Sequence, residues 1–535
     1  MQPLQSYIFF PLRFITRPLY IQVTFNVIAF PDAVTSTYAV EINKKLYPLQ
    51  TSKASFPLWS AKVAGDFALS SYRYVQLNHR NKAVAREGFM RQLTNADSTP
   101  NEFFNRQATI TTLPSIKQVY KDVRPKSGGA FDSSQIATIH FTVDPAQFAN
   151  MMNSPLDNKE RKPLKAGFKF INANTVYSAD EVKLKVSGHS SRKRRKVSLK
   201  VKFNKNKGDT LFDHSVIKLR AEYGDPTMLH EKLYTDILNS IGVPSSQASY
   251  SRVYVNGKPQ GFFLMIEDIE ESMLMRTVHH GTIKEKKALG ALYKIGSRES
   301  TMNYNGPRTT NYYPWMYNNQ IRGDNPKDEP MQQIIAFMKD LQDWDPTDND
   351  GIAYWNERLD LEGFLRSMAL EYLAGAWDSF WYNGNNYFMY YNPQHKIWQF
   401  IPSDFDHSFS SGANRVPVET SYKKYGERGR VYKNQPLVSK LIYKNKDINQ
   451  KFETILRTIA QYVFNDKALE ERIHAYETQI EQEVAWDRSI DRSQLPGVTV
   501  DWTAKKFHDS IWKKKDCITR WIKGRAQTVN RQIGQ

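Results

Sequence analysis

Cysteine is nearly absent from this 535-residue chain, which carries only Cys517. One thiol excludes an intramolecular disulfide and any multi-cysteine zinc site, so stability has to come from packing. Long hydrophobic runs are missing too. Apolar stretches at 7–11 and 19–30 are interrupted by Pro11, Arg13, Arg17 and Pro18, which leaves nothing able to span a bilayer as a helix. No basic region precedes the first of them, a poor fit to a signal peptide. Alternation at Ile21, Val23, Phe25 and Val27 predicts a first β-strand instead. Residues 525–535 are polar, without the hydrophobic tail of a lipid-anchor signal. There is also no Asn-X-Ser/Thr sequon and no P-loop of the Gly-X4-Gly-Lys-Ser/Thr type.

Positive charge, by contrast, is abundant. Lysine and arginine outnumber acids 74 to 55, and the resulting +19 favours anionic partners. The excess is dispersed, with one dense run at 192–196, so nucleic acid is not an expected partner. Hydrophobic residues at 40% and charged residues at 24% fit a globular protein of two to four structural units.

Residues 20–115 mix β-branched and aromatic residues with turn formers, which predicts an amino-terminal β-rich domain over 1–125. From 126 to 290, alternating runs at Val182, Leu184, Val186 and at Leu199, Val201, Phe203 flank a loop of Gly188, His189, Ser190, Ser191 and the basic run. Such a loop could approach phosphates or be a solvated hairpin tip. Asp225 and Pro226 predict the start of a helix that Gly242 and Pro244 end, and Asn256-Gly257 predicts a hairpin. This order predicts a mostly antiparallel sheet with one packed helix. Residues 291–535 are expected to be mainly helical. The acidic run after Pro346 has part of a calcium-loop spacing but lacks its first ligand.

The richest segment is 360–409. Helical spacing from Leu361 to Leu373, with Asp360 as cap and Gly375 as stop, delivers the chain to Trp377-Asp378. Asn383, Asn385 and Asn386 precede a predicted hairpin that runs back to Ser403-Asp404-Phe405-Asp406. A hairpin returns the chain to its origin, so Asp378 and Asp404 should be neighbours. Trp398, Phe400 and Pro402 are expected on the side of Asp404, as an aromatic floor for a planar base. Asp and Asn oxygens are ligands that magnesium or manganese prefers.

The runs "VKLKVSGHSSRKRRKVSLKVKF", "IKLRAEYGDPTMLHEKL", "GVPSSQASYSRVYVNGKPQGFFLMIEDI", "LYK" at 292–294, "WDSFWYNGNNYFMYYN" and "WQFIPSDFD" resemble the spore coat protein H (CotH) kinase family, most closely its fungal, Mucorales-type members. The resemblance implies an α+β class, with an atypical protein-kinase-like bilobal fold and an added amino-terminal β-rich domain. It also implies transfer of the ATP γ-phosphate, with Mg²⁺ or Mn²⁺, to Ser or Thr of a secreted or cell-surface protein. Asp378 would take the catalytic-loop role. Asp404 would hold metal with Asn383 or Asn386, and Asp406 is counted with them. Lys218 or Arg220 would stand in the third-strand cation position and Glu231 in the paired helix position; Glu267 and Trp398 are counted with the nucleotide-binding residues. Gly-X-Gly-X-X-Gly, His-Arg-Asp and Asp-Phe-Gly are all absent. The alternative is a cell-surface adhesin or invasin that keeps the fold without catalysis and binds a host-cell receptor.

Overall fold

A computed structural model describes residues 21–533, apart from segments 32–35, 66–70, 95–96, 122–128, 158–161, 189, 205–207, 297–299, 314–317, 323–330, 413, 432–434 and 500–502. The apolar stretch at 7–11 and the expected boundary at 125 lie outside the described residues. Two units divide after Thr109.

The first unit holds β1 Ile21–Ile28, β2 Thr37–Ile42, β3 Lys45–Pro48, β4 Leu58–Gly65, β5 Ser71–Leu77, β6 Ala83–Arg86, β7 Arg91–Gln92 and β8 Glu102–Phe103. They form one sheet in the order β4-β1-β8 and another in the order β3-β2-β5-β6, with β7 on β5. Val23, Phe25 and Val27 from the first and Tyr38, Val40, Tyr72 and Tyr74 from the second share one core, as their period-two spacing requires. Inside it, Arg91 pairs with Glu87 at 2.6 Å and Glu102 at 3.2 Å, while Tyr72 and Tyr74 donate to Glu102. Buried charge is tolerable here because every member has a partner.

The second unit opens with β9 Ile136–Val143, helix α1 Pro145–Asn153, β10 Leu164–Ile171, β11 Val176–Ser187, β12 Ser198–Phe203, β13 Val216–Arg220, helix α2 His230–Ser240, β14 Ala248–Val255 and β15 Lys258–Glu267. The strands close a barrel in the order β10-β11-β12-β13-β15-β14-β9, which the parallel pairing of β14 with β9 completes. Local alternation could not reveal that closure, because Tyr250 and Ile136 meet across more than a hundred residues. Leu184, Val186, Leu199, Val201, Ile217 and Leu219 fill the barrel, so their strand neighbours Lys183, Lys185, Lys200, Lys202, Lys218 and Arg220 face outward. Helix α2 starts later than Asp225 and Pro226 suggest. Asp225 instead ties a turn, its carboxylate accepting from the backbone N–H of Thr227 and, at 2.8 Å, of His230.

After the short helix α3 Glu271–Met273 come β16 Ala291–Ile295, β17 Asn318–Arg322, α4 Gln332–Asp343, α5 Gly351–Asn356, α6 Leu361–Ala374, α7 Phe380–Asn383, β18 Tyr387–Asn392 and β19 Ile397–Pro402. The strands form a sheet in the order β17-β16-β18-β19. The acidic turn before α5 is braced by the Asn445 side chain, which donates to the backbone carbonyls of Pro346 and Asp348. Helices α8 Tyr422–Tyr425, α9 Lys446–Tyr462, α10 Asp466–Ser489, α11 Ala504–Trp512 and α12 Ile518–Ile533 complete the chain. On α9, Ile448, Phe452, Ile455, Leu456 and Ile459 fall on one face and pack with α6 and α12 in the largest core. Each such side chain contributes roughly 1.5–3 kcal/mol on burial. No described helix is long and apolar enough to cross a membrane.

Candidate functional site

Helix α6 is capped by Asp360, which accepts from Gly363 N–H, and stopped by Gly375 at φ +59°. Glu371 on its last turn is buried and takes the backbone N–H of Tyr382 at 3.2 Å. Burial pushes its carboxyl up to about 8, and the N–H groups of Trp381, Tyr382 and Phe380 pull it back. This contact fixes the start of α7 and with it the turn carrying Asp378. Asn383, at the end of α7, donates to Asp378 Oδ1 at 3.1 Å. Asn386 Nδ2 donates to the Asp378 carbonyl at 3.0 Å and to Oδ2 at 3.4 Å, while its own carbonyl accepts from Ser403 N–H at 3.0 Å. Asn386 sits at φ +56°, a left-handed conformation that asparagine tolerates better than most residues. The two ends of the β18–β19 hairpin thus meet at Asn386, with Asp378 on one side and Asp404 one residue beyond Ser403 on the other.

Arg220 reaches this point from the end of β13. Its Nη2 lies 2.7 Å from Asp404 Oδ1 and 3.7 Å from both Glu231 Oε2 and Asp406 Oδ1, and its Nε donates to Glu222 Oε1 at 2.9 Å. Glu231 on α2 accepts the Phe405 N–H at 2.5 Å, and His230 Nδ1 is 3.0 Å from the Asp406 carbonyl, so α2 grips the 404–406 turn. Four carboxyls around one guanidinium cannot all be charged at no cost. Burial pushes Glu231 up to about 7 despite Arg220, and raises Glu222 well above the carboxylate range. Asp406 is raised by burial and by Asp404. Only Asp404 moves the other way: burial opposes its charge, but Arg220 and Lys218 hold it below the usual range. Its side chain is hemmed in by protein yet keeps 44% of its surface open, against 20% for Asp406, 1% for Glu231 and none for Glu222. Asp404 is the ionised, reachable member of the group.

Lys218 pairs with Asp268 Oδ1 at 2.5 Å, and Lys200 binds the same carboxylate. Asp268 is one residue beyond Glu267, which belongs elsewhere: it is buried 3.0 Å from His214 Nδ1 and 3.9 Å from Arg276 Nη1. Lys218 is therefore served by Asp268, while Glu231, expected in the paired helix position, faces Arg220. Trp398 also lies away from the site, packed against Tyr293, Phe337 and Tyr391 in the helical core. Strand phase explains the error, since Trp398 and Phe400 share the core-facing side of the sheet while Phe388, Tyr390 and Ile401 lie opposite. There, Lys294 of β16 extends to 5.9 Å from the Phe388 ring centroid. Burial and Lys218 lower its pKa, and Asp268 and Asp404 counter them. A lone lysine within the apolar run Ala291–Ile295 was the available signal for it. The His407 ring lies tilted by 37° against Trp377, centroids 4.7 Å apart, and Arg415 covers the Trp377 ring at 4.0 Å. The basic hairpin loop is clamped: Val498 N–H donates to the Lys193 carbonyl, and Lys196 pairs with Asp487 at 3.0 Å.

Among the described residues no three His, Cys, Asp or Glu side chains are arranged to hold a metal. A divalent cation of the magnesium type does not need such a cage, because one or two carboxylates suffice when phosphate oxygens and water complete its shell. The ionised, open Asp404 and the amide oxygens of Asn383 and Asn386 fit that donor chemistry. Asp406, with its proton retained more firmly, is the poorer ligand.

The chain is 29% identical to "Invasin CotH3" of Rhizopus delemar over 92% of its length and 79% of that protein. It is 28% identical to "Spore coat protein homolog 1" of the same fungus over 95% of its length and 80% of that protein. Identity to "Inner spore coat protein H" of Bacillus subtilis is 21%, over 58% of this chain and 76% of the relative. A family model described as CotH kinase protein matches residues 184–529, which contain Asp378, Asp404, Arg220 and α2. With that match spanning the barrel's last strands, the paired-aspartate hairpin and the helices behind it, the chain belongs to the CotH kinase family.

Proposed function

We propose that the chain is an atypical protein kinase, transferring the γ-phosphate of ATP to Ser or Thr of secreted or cell-surface proteins. The barrel with α2 serves as one lobe of a bilobal kinase-like arrangement, and the β16–β19 sheet with its helices serves as the other. The observation that carries this reading is Asn386, which ties Asp378 to the Ser403-Asp404 turn beside Arg220. Asp378 orients the acceptor hydroxyl and takes its proton, as the catalytic carboxylate of phosphoryl transfer does. Asp404, with Asn383 or Asn386, would hold Mg²⁺ or Mn²⁺, which when bound neutralises phosphate charge. Arg220, Lys218 and Lys294 supply further positive charge from β13 and β16, and Glu231 keeps the turn in place through Phe405 N–H. Placement at the cell surface or outside the cell draws on relatives named as invasins and spore coat proteins.

A second reading, an invasin that binds a host-cell receptor without turnover, is favoured by the names of the fungal relatives and by Arg220 already occupying Asp404. Incubation with γ-labelled ATP, Mg²⁺ or Mn²⁺ and a serine-rich acceptor separates the two. Label in the acceptor supports the kinase. Metal-dependent ATP binding with no label, together with adhesion to host cells that survives Asp404→Ala, supports the invasin.

A further inference from the structure

The outward face of the barrel carries more positive charge than a nucleotide at Asp404 can use. Lys185, Lys200 and Lys218 stand opposite one another on β11, β12 and β13, and Lys165, Lys183 and Lys202 form a second row on β10, β11 and β12. Like charges directly opposite on adjacent strands destabilise a sheet. Asp268 answers Lys200 and Lys218, and Glu181 pairs with Lys165 at 3.2 Å. Lys183 and Lys202, an opposed pair, have no acid within 4.0 Å among the described residues. With Pro163, Lys185 and Lys200 they line a cavity of about 290 Å³.

Position separates this cavity from the carboxylate centre. Arg220 marks one end of β13 and pairs with Asp404. The cavity's nearer row, Lys185 and Lys200, is level with Lys218, two residues back along that strand, and its farther row, Lys183 and Lys202, is level with Val216, four residues back. At about 3.3 Å per residue the nearer row is offset by roughly 7 Å and the unpaired farther row by roughly 13 Å, before the sideways step across the sheet. A nucleotide with its terminal phosphates at Asp404 would bring an uncharged base over such a distance, not phosphate oxygens.

We propose that the lysine-lined cavity is a second anion site, taking a group that carries two or more phosphates, either free oligophosphate or a multiply phosphorylated segment of an acceptor protein. Its placement relative to the nucleotide rests on the reading of Asp404 given above, but binding at the cavity does not need turnover. Repulsion within the opposed pair is relieved when the anion binds and persists when it does not, which makes affinity steeply dependent on salt.

The test is isothermal titration of the full chain with sodium tripolyphosphate, in wild type and in the double variant Lys183→Thr, Lys202→Thr. The expected result is a loss of tripolyphosphate affinity of tenfold or more in the variant, with affinity for Mg·ATP changed less than twofold. The variant's melting temperature should be no lower than wild type, since opposed like charges are removed, which excludes misfolding as the cause. A serine peptide with two phosphoserines, compared with its unphosphorylated form, distinguishes the sources: tighter binding of the phosphopeptide identifies an acceptor segment, and equal binding identifies free oligophosphate. Unchanged tripolyphosphate affinity in the variant overturns the proposal. So does a parallel loss of Mg·ATP affinity, which would make the cavity part of the nucleotide's own site. Absence of phosphoryl transfer leaves either result readable.

Discussion

Arg220 and Asp404 lie 184 positions apart, and the guanidinium Nη2 of the first is 2.7 Å from the carboxylate of the second. The bond joins the barrel to the hairpin exit and sits among three further acids, of which Glu222 and Glu231 are fully enclosed. Arg220→Ala would leave those acids with no adjacent guanidinium. Removing one partner from a fully buried ionic group destabilises by roughly 3–5 kcal/mol, and the loss is smaller here because Asp404 is 44% open and Glu222, Glu231 and Asp406 are pushed toward their protonated forms. Urea unfolding should show a loss of about 1–3 kcal/mol; no change would mean that Arg220 adds nothing to the stability of the group.

Glu371 makes stability depend on pH in a direction opposite to that of most surface carboxylates. Its folded value, raised to about 8 by burial, exceeds the ordinary 4.5. Between those values the folded chain keeps a proton that the unfolded chain has released, so this group's contribution is full below 4.5 and is lost as pH rises through about 8. Glu371→Gln removes the titration and retains an acceptor for the Tyr382 N–H. Denaturation at pH 5 and pH 9 should find the variant near wild type at the lower pH and more stable, by a few kcal/mol at most, at the higher. Equal pH dependence in both proteins would contradict the assignment.

Asn386 is the shortest link between the two aspartates. Asn386→Ala removes the donor to Asp378 and places alanine at φ +56°. If transfer depends on that alignment, the rate should fall by at least about tenfold while Mg·ATP affinity stays within about threefold, because small misplacements cost rate more than binding. A parallel loss of both would assign Asn386 to nucleotide binding.

Gly375 ends α6 in the left-handed region, and a Cβ there would come within 2.3 Å of Trp521 on α12. Gly375→Ala combines left-handed strain with overpacking, together roughly 2–4 kcal/mol. The melting temperature should drop by several degrees. No change would show that Trp521 yields freely.

The elements nearest the site were legible because their signals are local. Asp360 and Gly375 bracket a helical period, the apolar runs at 387–391 and 397–401 on either side of the turn Asn392-Pro393 predict the hairpin, and that hairpin brings its two ends together. Longer-range relations were not. The β9–β14 pairing that closes the barrel joins distant segments and has no local signature. Asp268 meets Lys218 because it continues the phase of Ile266, the cross-strand partner of Lys218, whereas Glu267 opposes Ile217 on the inner face; that register between β13 and β15 has no local signature. Trp398 illustrates the converse: alternation says that Trp398 and Phe400 share a face, but not which face meets the helices. Lys294 was visible as a lysine in an apolar strand, yet its partners come from β13 and the 404 turn.

The most direct test of the central claim is γ-phosphate transfer by the purified chain, wild type against Asp378→Ala, with Mg·ATP binding measured on both. Transfer abolished in a variant that still binds Mg·ATP is the predicted result. Transfer by Asp378→Ala at the wild-type rate would contradict the assignment of Asp378.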